Sequence, residues 1–277
     1  MDAYVVSHNG LGDNLFMIGA LHYLSQYYEN VFFLCKQKHY DNVRLLFSNT
    51  PTIQCLPFKH SNLFEFYEYE DINKIISEKY NDEKNDIFVC GLHKRYLTTK
   101  ITNQKLLDEE IVDTNYTIDW DTLTSENYSF IEEFYKDINL NLTHFFDYFN
   151  IDSTRKSRKM YESVSDYYIV FIQSNTSNEA SLNMTNLIEK YIDDDKVLLL
   201  CNDKNIYSDK KSKKYELARQ FVYNKLVYYI DVIKNSDEIY LIDSCFIGIV
   251  LPLLKTNKLK TDKVRIILRE DSKDIEL

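Results

Sequence analysis

This sequence is poor in features that mark several common classes of protein. Only 5 glycines and 3 prolines occur beside 23 tyrosines, a bias that we attribute to an AT-rich genome and not to a function. No run of about 18 apolar residues occurs, which disfavours a membrane-spanning helix. The opening residues, MDAYVVSHNG, contain neither a basic nor a long apolar segment, so we expect no secretory signal. These absences predict a cytoplasmic protein.

Patterns typical of metal and nucleic-acid binding are also missing. The 5 cysteines show no CxxC spacing and the 6 histidines no HxH or HExxH spacing, so we expect reduced, packed thiols and no metal site. Basic residues number 33 against 43 acidic ones, and the net charge of -10 opposes attraction to a nucleic-acid backbone. Nucleic acid is therefore not expected as a partner.

The sequence does contain a regular alternation of apolar runs with amphipathic segments. Its 277 residues suit two domains of roughly 100 to 150 residues each. The first half predicts the order βαβαβ, which is typical of a parallel sheet with helices on its faces. Its predicted strands are 3–7, 31–35, 53–58 and 86–90, and its predicted helices are 15–28, 39–47 and 72–80.

The same rhythm returns after a less regular region, 108–165. Within that region, 130–149 predicts helices and 152–165 predicts a linker, so we place the domains at 1–155 and 156–277. The second half predicts strands at 168–173, 196–201, 226–229, 238–242 and 264–268, and helices at 184–191, 213–222, 230–235 and 246–254. The sequence therefore predicts two α/β domains.

The segment GLGDN, residues 10–14, lies between the first predicted strand and the first long helix. Its two glycines allow a tight turn and close approach to a ligand, and ligands bind beyond the carboxyl ends of strands in such sheets. A dinucleotide is disfavoured, because the third glycine of GxGxxG is missing and the Asp13 carboxylate would repel a pyrophosphate. Position alone leaves two roles open for Asp13, a helix cap or a functional carboxylate.

Several blocks together resemble the heptosyltransferase-like glycosyltransferases. The first block runs from Gly10 to Phe58, GLGDNLFMIGALHYLSQYYENVFFLCKQKHYDNVRLLFSNTPTIQCLPF. The later blocks are YIVFIQSNTS, KVLLLCND and DVIKNSDEIYLIDSCFIGIVLPLL, in the order that the family shows. The resemblance covers about half of the chain, and the order of the blocks is more specific than any single block.

The resemblance implies a GT-B fold, in which two Rossmann-like domains face each other across a cleft. It implies an acceptor glycan bound by the first domain and a nucleoside-diphosphate sugar, the donor substrate, bound by the second, with no cofactor. Asp13 corresponds to the family's catalytic base. The residues expected to contact the acceptor are His8, Asn9, Gly10 and Gly12. The residues expected to contact the donor are Ser174, Asn175, Thr176, Asn202, Asp243, Ser244 and Cys245.

The chain departs from the family around the donor phosphates. The family has glycine and then histidine after its Asp-Ser/Thr pair, whereas this chain has Cys245 and Gly248. The basic residue expected after the SNTS loop is also replaced, and Lys204 or Lys234 could substitute for it. The family's phosphate neutralisation is therefore not carried over to this chain.

Three functions remain open at this stage. The leading one is an inverting, metal-independent glycosyl transfer, for which a carboxylate must accept the proton of the attacking hydroxyl. The others are a catalytically inactive protein that binds nucleotide or glycan, and a nucleotide-sugar epimerase. Asp119-Trp120-Asp121 has the DxD form of metal-dependent GT-A transferases, but three-residue acidic patterns arise by chance in so acidic a chain.

Overall fold

A computed structural model of the chain describes residues 1–7, 10–59, 65–80, 84–91, 94, 97, 100–107, 125–176 and 180–268, of which 65–67, 107 and 125–129 by backbone only. Two compact units are present; the first extends to Asn150, and the second includes everything from Ile151 onward. The predicted boundary after residue 155 falls in the first turn of a helix, Arg155–Glu162. Each unit contains a four-stranded parallel sheet, which confirms the predicted α/β class.

The sheet of the first unit has the strand order β3-β2-β1-β4, and all neighbouring strands are parallel. Its strands are short apolar runs because helices and loops cover both faces of such a sheet. The strands are β1 (Asp2–Val6), β2 (Asn30–Lys36), β3 (Ile53–Phe58) and β4 (Asn85–Val89). The helices are α1 (Leu11–Phe16), α2 (Ile18–Leu24), α3 (Tyr40–Leu46), α4 (Glu65–Lys79), α5 (Gln104–Leu107), α6 (Ser125–Asp137) and α7 (Thr143–Asp147).

The single helix predicted over 15–28 is in fact two helices, α1 and α2, that break at Met17. The break has an identifiable cause in the buried hydroxyl of Tyr135, on α6. This hydroxyl donates to the Phe16 carbonyl at 2.8 Å and accepts from the Ala20 amide at 3.2 Å. Those two backbone groups would bond each other in a continuous helix, so the tyrosine inserts into the ladder between them.

Close packing against α7 fixes the position of α2. Gly19 makes the approach possible, because a Cβ atom at this position would lie 2.1 Å from the His144 carbonyl oxygen and 2.8 Å from the Phe145 Cα. No side chain fits there without moving backbone. The packing of the first unit therefore requires glycine at position 19 because of a backbone contact with a segment about 125 residues further along the chain.

The sheet of the second unit has the order β6-β5-β7-β8 and is also parallel throughout. Its strands are β5 (Tyr168–Gln173), β6 (Val197–Cys201), β7 (Glu238–Ile242) and β8 (Val264–Ile267). Its helices are α8 (Arg155–Glu162), α9 (Thr185–Tyr191), α10 (Lys213–Arg219), α11 (Ile230–Asn235) and α12 (Ile247–Lys255). Among the described residues of the whole chain, no helix has the length and apolarity needed to cross a bilayer.

The linker predicted at 152–165 is wrong, because most of it forms α8. The helix is capped at its start by Thr154, whose hydroxyl accepts from the Ser157 amide at 2.9 Å. Ser157 is buried and its hydroxyl donates to Asp231, on α11. The polar sequence RKSRKMYE conceals this packing, since only Ser157 and Met160 face the interior.

The strand predicted at 226–229 is also wrong, because Leu226–Tyr229 forms a 3₁₀ turn that leads into α11. The packing and hydrogen bonding of Tyr229 stabilise this turn. Its ring packs against Phe171 and Phe246 at centroid distances of 5.8 and 5.2 Å, and its hydroxyl accepts from the Asn224 amide at 3.0 Å. Four apolar residues predict a strand, but these four pack beside the sheet and pair with no strand.

A buried carboxylate accepts hydrogen bonds from several tyrosines at the amino edge of the second sheet. Glu238, at the start of β7, accepts hydrogen bonds from the hydroxyls of Tyr168, Tyr191 and Tyr240 at 2.8 to 2.9 Å. Burial opposes its ionisation, but these hydrogen bonds outweigh burial and lower the pKa of Glu238 below its usual value. This cluster lies at the edge opposite to the loops that the resemblance assigns to the donor.

Candidate functional site

The glycine loop of the first unit holds Asp13 in a defined orientation. Gly10 is the N-cap of α1, with extended backbone angles, and its amide donates to Oδ2 of Asp13 at 2.6 Å. Asp13 is half-buried, and in the described part of the chain its other oxygen, Oδ1, has no hydrogen-bond partner. The helix-cap role is therefore present, and it leaves one carboxylate oxygen available to a ligand.

Asn14 also fixes this loop, through hydrogen bonds to Gly10, and the sequence analysis missed it. Its carboxamide Nδ2 and its backbone amide both donate to the Gly10 carbonyl, at 2.6 and 3.3 Å. The side chain is buried, and its Oδ1 has no hydrogen-bond partner within the part of the chain that the structure describes. The available signal was the amide side chain itself, at a buried helical position beside Leu15 where an apolar residue would be ordinary.

The other residues expected on the acceptor side are less informative. Gly12 lies in the first turn of α1 and is half-buried. His8 and Asn9 lie outside the described residues, as does the Asp119-Trp120-Asp121 motif. Their expected contacts stay predictions. No group of three or more metal-binding side chains occurs in the described ranges.

In the second unit, three loops that the resemblance assigns to the donor follow β5, β6 and β7. Because these strands are neighbours in a parallel sheet, their carboxyl ends and the loops after them lie side by side. Ser174, Asn175 and Thr176 follow β5, Asn202 follows β6, and Asp243, Ser244 and Cys245 follow β7. The structure therefore brings together the predicted residues of this unit.

The loop after β5 is bonded internally through Asp203, which the sequence analysis also missed. Asp203 is buried and accepts from the Ser174 amide at 3.2 Å, the Ser174 hydroxyl at 2.7 Å and the Asn175 amide at 2.8 Å. The Thr176 amide donates to the Ala180 carbonyl at 2.9 Å. These bonds occupy amides and a hydroxyl that the sequence analysis expected to meet the donor.

The loop after β7 is the N-terminal approach to α12, a buried nine-residue helix. Gln173 Nε2 donates to the Cys245 sulfur at 3.5 Å. Burial raises the pKa of this thiol, so the sulfur stays neutral near pH 7. Ser244 is half-buried beside it, at the positive end of the helix dipole.

The two lysines suggested as replacements for the missing basic residue lie in different places. Lys204 directly follows Asp203 at the carboxyl edge and is exposed, and within the described chain its ammonium has no ion pair or hydrogen bond. Lys234 is near the end of α11, next to the amino end of β7, and lies 3.4 Å from the Ile151 carbonyl. Burial lowers the pKa of Lys234. Lys234 is therefore at the wrong edge of the sheet, and that suggestion is wrong.

Asn202 lies between these loops, with its backbone fully engaged. Its amide donates to the Ile172 carbonyl at 3.2 Å, and its carbonyl accepts from Tyr223 at 2.8 Å. Its side-chain Oδ1 has no hydrogen-bond partner among the described residues. The residue as a whole is half-buried and its backbone is fixed, but the Oδ1 atom itself is buried, so this oxygen is not exposed to a ligand.

Solved glycosyltransferases share this arrangement of elements. The chain is similar to a glycosyl transferase of family 9 from Veillonella parvula, with a TM-score of 0.53 and 8% identity over 100% of this chain and 86% of that one. It is also similar to ADP-heptose lps heptosyltransferase II of E. coli, with a TM-score of 0.51, 11% identity, and 96% and 90% of the two chains covered. E. coli heptosyltransferase WaaC, solved with ADP-2-deoxy-2-fluoro heptose, gives a TM-score of 0.50 at 10% identity, over 96% and 92%.

No protein-family model matches the chain, and no curated protein matches its sequence. At identities of 8 to 11% a structural likeness shows the fold alone. The likeness nevertheless extends over nearly the whole of each chain compared. The chain therefore has the GT-B fold of the heptosyltransferase-like glycosyltransferases, the family that its sequence blocks resemble.

Proposed function

We propose that this protein is a glycosyltransferase that moves a sugar from a nucleoside-diphosphate sugar to a glycan or another sugar-containing acceptor. The observation that carries the proposal is the state of Asp13. One carboxylate oxygen is anchored by the Gly10 amide at 2.6 Å, and the other has no hydrogen-bond partner among the described residues, in the loop that follows the first strand. A general base needs this combination, because its position must be fixed while a lone pair stays available.

In the proposed reaction Asp13 Oδ1 accepts the proton of an acceptor hydroxyl. The hydroxyl oxygen forms a bond to the anomeric carbon as the bond from that carbon to the diphosphate oxygen breaks. The electron pair of the broken bond leaves with the nucleoside diphosphate. A single displacement of this kind inverts the anomeric configuration.

The second unit supplies groups suited to the donor. Ser244 and the N-terminus of α12 would stabilise the charge that develops on the leaving diphosphate, because a helix N-terminus carries partial positive charge. The exposed side chain of Lys204 lies next to these loops and would add positive charge near the diphosphate. Stabilisation by these groups is consistent with a reaction that requires no metal, and we propose that route. The reaction takes place in the cytoplasm and uses no cofactor beyond the donor substrate.

A second function is favoured by one observation, the bonding of the loop after β5. The amides of Ser174, Asn175 and Thr176 all donate within the protein, and Lys204 is the exposed lysine beside them. A nucleotide-sugar site in which so few N–H groups remain available suits a protein that binds nucleotide or glycan without transferring sugar. This alternative predicts binding without turnover.

The test combines calorimetric titration with a product assay. The full chain is titrated with ADP, GDP and UDP and their sugars, and products are then followed with a panel of glycan acceptors. Binding with transfer supports the proposal, binding alone supports the second function, and conversion of a donor without acceptor indicates an epimerase. If none of these ligands binds and no product forms, the proposal is refuted.

The decisive variant is Asp13→Asn. Asparagine can still accept the Gly10 hydrogen bond, so the helix cap and the fold should survive, but it cannot take the proton of the acceptor. We expect turnover to fall by a factor on the order of 100 to 10000 with donor affinity unchanged. The matched control is Asp41→Asn, which removes the same charge from an exposed position on α3 and should keep the unmutated rate. An unchanged rate for Asp13→Asn would leave Asp13 as a cap only.

A further inference from the structure

Asp203 is a buried carboxylate whose hydrogen bonds are concentrated on one loop. It lies after β6, and three of its donors belong to the start of the loop after β5: the Ser174 amide at 3.2 Å, the Ser174 hydroxyl at 2.7 Å and the Asn175 amide at 2.8 Å. A fourth contact is the Cys201 thiol at 3.0 Å, whose pKa burial and the carboxylate raise to about 11. The charge of Asp203 is thus compensated by donors from a loop 28 to 29 residues earlier in the chain.

These bonds change what the loop can offer a ligand. Consecutive backbone amides at the end of a strand form a common anion site, but here they point at a carboxylate that already occupies them. Ser174 is fully buried, whereas Asn175 is exposed. In the described part of the chain the Asn175 carboxamide has no hydrogen-bond partner. The loop therefore presents a carboxamide, which both donates and accepts, in place of an amide pair that binds phosphate.

We propose that Asp203 is a positioning residue of the nucleotide site and acts through Asn175. It fixes the backbone of Asn175, so that the carboxamide is held at the carboxyl edge of the sheet before a nucleotide binds. This inference rests on the proposed function for its ligand, a nucleoside diphosphate. It adds Asp203, which the resemblance does not assign, as the residue that positions Asn175, which the resemblance does assign.

Preorganisation is the physical reason why such a residue should matter. A carboxamide on a loose loop must lose its conformational freedom when it binds, and that loss opposes affinity. Three hydrogen bonds donated by the loop to a charged, buried acceptor remove the backbone part of this freedom in advance. Removing Asp203 should therefore weaken nucleotide binding even though Asp203 itself never touches the nucleotide.

The experiment is a double-mutant cycle on the full chain, with ADP, GDP and UDP titrated separately. Asn175→Ala should raise the Kd of the diphosphate that binds best by about threefold to tenfold, the usual effect of one hydrogen bond. Asp203→Asn should raise it about tenfold, because the Asn175 amide then faces an amide nitrogen in some orientations. The double variant should bind no more weakly than Asp203→Asn alone, since both act through one group. Asp193→Asn is the control, an exposed aspartate of the same unit, and should leave the Kd unchanged.

Hydrogen exchange supplies a readout that needs no nucleotide. The amides of Ser174 and Asn175 should exchange at least about tenfold faster in Asp203→Asn than in the unmutated chain, because they lose their acceptor. Asn175→Ala should leave this protection intact while still weakening binding. Weakened binding with unchanged exchange would assign Asp203 a different role.

The outcomes separate this inference from the proposed function. If the unmutated chain binds none of the three diphosphates, the proposed function loses its donor and the inference falls with it. If the unmutated chain binds and Asp203→Asn binds equally well, or if the double variant shows the product of both single losses, only the inference is overturned. Should Asp203→Asn fail to fold, Ser174→Ala removes the 2.7 Å hydroxyl bond to Asp203, together with the weak contact from the Cys201 thiol at 3.6 Å, and keeps both backbone bonds. An unchanged Kd in that variant would also overturn the inference.

Discussion

Replacing Gly10 by alanine should displace the Asp13 carboxylate without disturbing the backbone. Gly10 has a φ of -84° and a ψ of 161°, which alanine adopts freely, so the fold has no conformational reason to change. A Cβ atom at this position would lie 2.7 Å from Oδ2 of Asp13 and 3.3 Å from its Cγ. Both distances are shorter than van der Waals contact, and the carboxylate must move away from the Gly10 amide.

The size of the effect follows from what the carboxylate loses. The 2.6 Å hydrogen bond from the Gly10 amide is a bond to a charged group, worth about 1.5 to 3 kcal/mol when buried and less at this half-buried position. We expect the free energy of unfolding to fall by about 1 kcal/mol. A base displaced by about 1 Å can lower turnover roughly 100-fold, so kcat should fall by a factor of about 10 to 100. The Kd of the donor should not change, because the residues proposed to contact the donor lie in the other unit.

The assay is the transfer rate of the full chain at saturating donor, with thermal unfolding measured on the same samples. The double variant Gly10→Ala with Asp13→Asn is the internal control. Once the base is gone its position is irrelevant, so the double variant should be no slower than Asp13→Asn alone. A folded Gly10→Ala variant with the unmutated kcat would refute the argument that this hydrogen bond sets the position of Asp13.

Three further predictions concern other parts of the chain. Gly19→Ala should lower the free energy of unfolding by about 3 kcal/mol or fail to fold, since its Cβ would meet the His144 carbonyl oxygen at 2.1 Å; a normal denaturation midpoint would contradict this packing. Glu238→Gln should lower the free energy of unfolding by about 1 to 3 kcal/mol at pH 7. Because folding lowers the pKa of Glu238, this contribution is present above the usual carboxyl pKa of about 4.3 and is lost as pH falls through the folded value, so urea titrations of the two proteins should converge at low pH. Ser244→Ala should weaken nucleoside-diphosphate binding by about 1 kcal/mol or more in calorimetry, and an unchanged affinity would remove its hydroxyl from the donor site.

The sequence by itself determined the class of fold and most of its strands. Segments such as 3–6 and 197–201 are continuous apolar runs between polar residues, and a strand buried on both faces requires that pattern wherever it occurs. The order of these runs with helical segments between them predicts parallel sheets, because parallel neighbours need a crossover connection. The position of Asp13 after the first strand follows from the same local information.

The tertiary structure alone decided which polar groups are bonded and which are open. The break at Met17 comes from Tyr135, and the 3₁₀ turn at Leu226–Tyr229 comes from ring packing by Tyr229. The amides of the loop after β5 are occupied because Asp203 reaches them from the next strand. Periodicity is a local property of a sequence, whereas a hydrogen-bond partner is chosen among residues that only folding brings within about 3 Å. For that reason the sequence located both candidate loops, and the folded chain determined what each of them can offer a ligand.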